Sequence, residues 1–132
     1  MRKGKQTSVV VIAYSFIALI IVSITLQLVY IHKITNEMSD IIISVETGAK
    51  EGNHEAVKLS LNEFENYWRK HKGFLEVIVS HSHTHNIDKN LLTAKDMLKY
   101  DNIEILFEAI SEIKYAIKNI FDEDCVSLNN IL

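Results

Sequence analysis

QTSVVVIAYSFIALIIVSITLQLVYI, residues 6–31, holds twenty-six positions without one formally charged side chain. A helix from Ser8 to Tyr30 would be about 35 Å long at roughly 1.5 Å per residue. The hydrocarbon core of a bilayer is roughly 30 Å thick, so such a helix spans it with modest tilt. The sequence therefore predicts one membrane-spanning helix, residues 8–31, with the lipid bilayer as its partner. A cleaved signal peptide is the competing reading. Its apolar region is usually shorter and ends in a small-x-small site. Here the run closes on Thr25-Leu26-Gln27-Leu28-Val29-Tyr30, which lacks that pattern. An uncleaved signal anchor fits better.

Arg2, Lys3 and Lys5 precede the span, whereas His32 and Lys33 follow it and give way to Glu37, Asp40, Glu46 and Glu51. Basic flanks are held on the cytoplasmic side. Residues 1–7 are thus expected in the cytoplasm and residues 33–132 outside it, at the outer face of the cell membrane.

Those last hundred residues suffice for one domain with a small core. They carry 11 Lys/Arg against 17 Asp/Glu, a net charge of −6. An acidic domain repels phosphate backbones, so nucleic acid is not an expected partner. Cys125 is the sole cysteine, which excludes an intramolecular disulfide. Asp122, Glu123 and Asp124 precede it and disfavour a reactive thiolate.

Proline is absent, and apolar spacing decides the secondary structure. Ile34, Met38, Ile41, Val45 and Ala49 recur at helical intervals, which carries the membrane helix on into the domain. Gly52-Asn53 ends that helix, and Asn53 caps a second one burying Val57, Leu61, Phe64 and Trp68. After Lys72-Gly73 a third helix is expected, with Phe74, Ile78, His81 and His85 on one face. A fourth starts at Asn86 or Asp88 and shows Ile87, Leu91, Ala94 and Leu98. Asp101-Asn102 caps a fifth, whose stripe runs from Ile103 through Ile110 and Ile117 to Phe121. The fold class is all-α, with about five helices forming two antiparallel hairpins. A faint repeat at an offset of 49 residues supports the hairpins: Gly52-Asn53 aligns with Asp101-Asn102. Val57, Leu61, Phe64 and Trp68 align with Leu106, Ile110, Ile113 and Ile117.

Few residues suggest chemistry. His81-Ser82-His83-Thr84-His85 is the one cluster of metal-ligand type. In a helix His81 and His85 share a face, and a carboxylate such as Asp88 or Glu76 would have to complete a site. The plainer reading has His81 and His85 finishing the apolar face, with His83 solvated. Trp68 and Tyr67 are candidate anchors for a protein partner, although the spacing of Phe64 and Trp68 also suits a core. There is no nucleophile elbow, phosphate loop, His-Glu-x-x-His or paired-cysteine motif. No enzymatic activity and no cofactor are expected.

The basic start, the single span, Gly52-Asn53-His54-Glu55-Ala56 leading to Trp68, His81 with Asn86-Ile87-Asp88, and the ending Ser127-Leu128-Asn129-Asn130-Ile131-Leu132 together resemble one family. It is the domain of unknown function 4363 family of small single-pass bacterial membrane proteins. The resemblance implies the topology and the helical domain, and it adds no reaction. Relatives carry acidic residues after the His of that segment, where this chain has His83 and His85. The functional expectation is a membrane-anchored, non-enzymatic interaction module. The alternative is an extracytoplasmic metal-binding or sensory domain using His81, His83 and His85.

Overall fold

A computed structural model describes the backbone of residues 2–129 and the side chains of residues 3–123. It contains α1 (Arg2–Lys50), α2 (His54–Ile78), α3 (His81–Lys99) and α4 (Ile103–Asn129), with no strand among the described residues. The chain falls into two compact units, Met1–Tyr30 and Ile31–Leu132.

The first unit is the N-terminal part of α1, which is long and apolar enough to cross a membrane by length and composition. Four of its hydroxyls, those of Thr7, Ser8, Ser15 and Thr25, are spent on their own helix. Thr7 Oγ1 donates to the Lys3 carbonyl at 2.7 Å, Ser15 Oγ to Val11 at 2.9 Å, and Thr25 Oγ1 to Ile21 at 2.9 Å. Back-bonding of this kind gives each of these hydroxyl protons an acceptor, the condition an apolar medium imposes.

The second unit is an all-α domain of two helical hairpins. The expected stripes pack its core: Ile34, Met38 and Val45 from α1, Leu61, Phe64 and Trp68 from α2, Ile87 and Ala94 from α3, and Leu106, Ile110 and Ile113 from α4. Polar ties give the order of the helices. Glu65 of α2 meets Lys95 of α3, and His83 Nε2 of α3 lies 2.7 Å from Glu123 Oε2 of α4. Lys114 Nζ of α4 donates to Glu46 Oε2 of α1 at 2.6 Å. His54 Nε2 lies 3.1 Å from Asp101 Oδ1, which brings both hairpin turns to the same end. The helices therefore alternate in direction around one core.

The two turns match bond for bond at the offset of 49 residues. Gly52 N–H donates to Ala49 O at 3.2 Å, and Asp101 N–H to Leu98 O at 3.3 Å. Asn53 N–H reaches back to Gly48 O at 2.9 Å, and Asn102 N–H to Met97 O at 2.9 Å. This pair of bonds is the Schellman helix ending, which needs a left-handed residue just after the helix. Gly52 has φ +66° and Asp101 φ +57°. Each following Asn then opens the next helix: Asn53 Oδ1 accepts from Ala56 N–H at 3.1 Å, and Asn102 Oδ1 from Ile105 N–H at 3.2 Å. One asparagine closes a helix with its backbone and starts the next with its side chain.

The number of helices departs from the expected five. Gly73 does not end a helix; α2 runs through it to Ile78. An exposed glycine costs a helix only about 1 kcal/mol relative to Ala. Burying Leu75 on the following turn outweighs that. The chain breaks instead at Val79, which is extended, and at Ser80, whose side chain accepts from Ser82 N–H. Asn86 and Asp88 consequently lie inside α3 and start nothing.

Candidate functional site

The break at Ser80 places the histidine cluster in the opening turns of α3, and this register reverses the expected exposure. His81 and His85 are exposed, whereas His83 is buried. His83 turns inward because position 83 shares a face with Ile87 and Leu91, at i+4 and i+8. It meets Glu123 across the α3–α4 seam. Its neighbour Thr84 is also buried and donates to the His81 carbonyl at 3.1 Å. Among the described residues no three His, Cys, Asp or Glu side chains converge as a metal-binding group. His81 and His85 therefore form no such group with Asp88 or Glu76.

Trp68 is 1% exposed. Its indole N–H donates to Asp88 Oδ1 at 2.7 Å, and Lys72 Nζ donates to Asp88 Oδ2 at 2.6 Å. Asp88 is thus a hub joining two α2 side chains, one turn apart, to α3. The carboxylate beside Lys72 holds the ammonium pKa above its ordinary value. Of the two candidate anchors, Trp68 is a core residue with no free face. Tyr67 is half-buried, with its ring 4.5 Å from that of His71.

His71 was not legible as a special position, yet it is buried. Burial, with help from Lys70 and Lys33, lowers its pKa and favours the neutral ring. Two carboxylates move down as well. The hydrogen bond from Lys95, seconded by Arg69, lowers Glu65, and that from Lys114, seconded by Lys50, lowers Glu46. The sequence signal for these ties is faint. Glu65 and Arg69, or Glu46 and Lys50, read as solvated i, i+4 pairs, and their second partners are 30 and 68 residues away.

The surface feature with the most concentrated chemistry is the groove between α2 and α3. Near the turns it opens a cleft of about 360 Å³ lined by His54, Glu55, Lys58, Leu61, Lys95 and Lys99, among others. Farther along it a second cleft of about 410 Å³ includes Arg69, Lys72, Leu92 and Lys95. Five of the domain's eleven Lys/Arg line this groove, against three of its seventeen acids. Sequence reading missed it because the basic residues are scattered singly along two helices.

The Cys125 side chain lies outside the described residues, as do the side chains of the closing Ser127–Leu132 stretch. No curated protein and no solved structure matches this chain. Across residues 25–131 the sequence matches the family model described as domain of unknown function (DUF4363), and the chain belongs to that family.

Proposed function

We propose that this is a bacterial single-pass membrane protein whose helical domain is a non-enzymatic protein-interaction module, displayed at the outer face of the cytoplasmic membrane. The observation that carries the anchoring is the exposure of the apolar part of α1. Phe16, Leu19 and Val29 are 65%, 68% and 63% exposed. Covering a large apolar side chain is worth roughly 1.5–3 kcal/mol, so a stretch of them left bare calls for lipid. The basic Arg2, Lys3 and Lys5 support the orientation. The buried or half-buried polar groups Asp88, Glu65, His83 and Glu46 are spent on ties between the domain's own helices. That favours a scaffold over a reaction centre, since catalysis needs a nucleophile, a base and an orienting group together.

Cys125 tests the topology without engineering. Intact cells or protoplasts are treated with a membrane-impermeant maleimide, beside permeabilised and denatured samples. Labelling of intact cells, lost in Cys125→Ser, is the expected result. Strong labelling only after permeabilisation would place the domain in the cytoplasm and overturn the orientation. Crosslinking in native membranes tests the interaction role, and a chain recovered without any protein partner would sink it.

A further inference from the structure

We propose that the basic α2–α3 groove receives an acidic ridge of α4 from a second copy of this chain, so that copies associate side by side. This names the partner of the interaction module above and rests on that reading.

The groove has charge to spare. Two of its three acids are already neutralised: Glu65 by Lys95 and Arg69, and Asp88 by Lys72 and the Trp68 indole. Lys58 and Lys99 have no carboxylate partner among the described residues, and Lys99 stands 5.7 Å over the Tyr100 ring. Only Glu55 opposes them at the cleft rim, above a floor that includes Leu61 and Leu98.

The complement lies on another face of the same domain. Glu104, Glu108 and Glu112 follow one another at i, i+4 and i+8 along α4, and all three are exposed. None has a cationic partner among the described residues. Glu104 sits in the first turn, where the helix dipole suits an acid, but Glu108 and Glu112 lie beyond its reach. Like charges at i, i+4 destabilise a helix unless something outside it compensates. Lysines at the groove rim would do so, and the 39%-exposed Ile105 offers an apolar contact beside the ridge.

The heights also agree. Lys58 lies five residues past the Asn53 cap, Lys99 three before Asn102, and Glu104 two after it. Both caps are at the same end of the domain, so ridge and groove occupy one level. Copies anchored in one membrane point the same way, and confinement raises their effective concentration. A ridge on one face and a groove on another make a head-to-tail contact, which extends beyond a pair.

The test uses the full chain in proteoliposomes, with energy transfer between copies labelled at Cys125 with donor or acceptor. Circular dichroism verifies that each variant keeps its helix content. Lys58→Glu with Lys99→Glu forms one variant, and Glu104→Lys with Glu108→Lys the other. Each alone is expected to lose association by about tenfold or more, because like charges then face one another. Mixing the two variants restores opposite charges at the contact and is expected to restore energy transfer. A variant that associates as the wild type does, or a mixture no better than its components, overturns the proposal. Wild-type copies that stay apart while crosslinking in native membranes captures another protein would refute self-association and leave the interaction module standing. Absence of both would remove the module reading as well.

Discussion

The two hairpins of the domain use one turn and two vocabularies. The α1–α2 hairpin turns at Gly52, with Gly48 before it, while the α3–α4 hairpin turns at Asp101, with Met97 in the corresponding place. At Gly48 an added Cβ would stand 3.2 Å from Val57 Cγ2 and 3.3 Å from Val57 N, so α1 and α2 approach closely there. The second turn keeps every corresponding hydrogen bond without a glycine. Aspartate tolerates the left-handed region better than most residues, and Asp101 faces His54 of the other turn. Deeper in the hairpins the contrast runs the other way. Phe64 and Trp68 of α2 correspond to Ile113 and Ile117 of α4, and all four are buried. Bulk in the first hairpin is aromatic and polar-tipped, whereas in the second it is aliphatic. The shared turn therefore fixes hairpin geometry, and the core positions fix how each hairpin meets the other.

The sharpest way to break this comparison is Trp68→Ala. It is expected to cost about 3–5 kcal/mol, from the cavity and from the loss of a donor to Asp88. Ile117→Ala empties less volume and strands no polar group, so chemical denaturation should show a smaller loss, at the lower end of roughly 2–5 kcal/mol. Equal losses would mean that the hairpins are energetically interchangeable.

Acid is expected to have the next largest effect, because it acts on several groups between or beside the hairpins. Glu46 and Glu65 have lowered pKa values, so their stabilisation is present above the ordinary carboxylate range and is lost as pH falls below it. His71, also lowered, resists protonation in the folded state, so the unfolded chain binds its proton first. Its contribution is full above about pH 6.5 and declines as pH falls below that value. Thermal melts should therefore shift down from pH 7.5 to about pH 3, in two steps. A transition temperature that rises on acidification would contradict these ties.

The caps come next. Asn53→Ala and Asn102→Ala should each cost about 1 kcal/mol, and nearly the same amount, since each removes one side-chain bond of the same geometry. The smallest and most pointed test exchanges the turn residues. Gly52→Asp is expected to lose less than about 1 kcal/mol, and Asp101→Gly to change stability by less still, as relief at φ +57° is offset by greater freedom of the unfolded chain. A large loss in Asp101→Gly would show that its contact with His54, and not the backbone, holds the second turn.

Much of this was legible because it is local. The stripes from Ile34 to Ala49 and from Val57 to Trp68 were readable at helical spacing, and both Asn caps from one residue in context. Gly73 misled because glycine signals a break only where nothing beyond it repays continuing the helix, and Leu75 does. That error moved the start of α3 and so exchanged the roles of His81, His83 and His85. The ties that the candidate site consists of were not legible. Asp88 with Trp68, Glu65 with Lys95 and His83 with Glu123 join residues whose separation of 20 to 40 positions carries no periodic signal. Membership of the family was readable from short motifs spread over the chain, and it extends over residues 25–131.

The abruptness of the two turns also bears on how fast the domain forms. Each hairpin closes over three residues, so its helices meet with little loss of chain entropy and with contacts close in sequence. Hairpins of this kind are expected to form early. The seam between α1 and α4 differs, since Lys114 and Glu46 are 68 residues apart and can meet only after both turns exist. The α1–α4 seam is therefore expected to close last in assembling the domain.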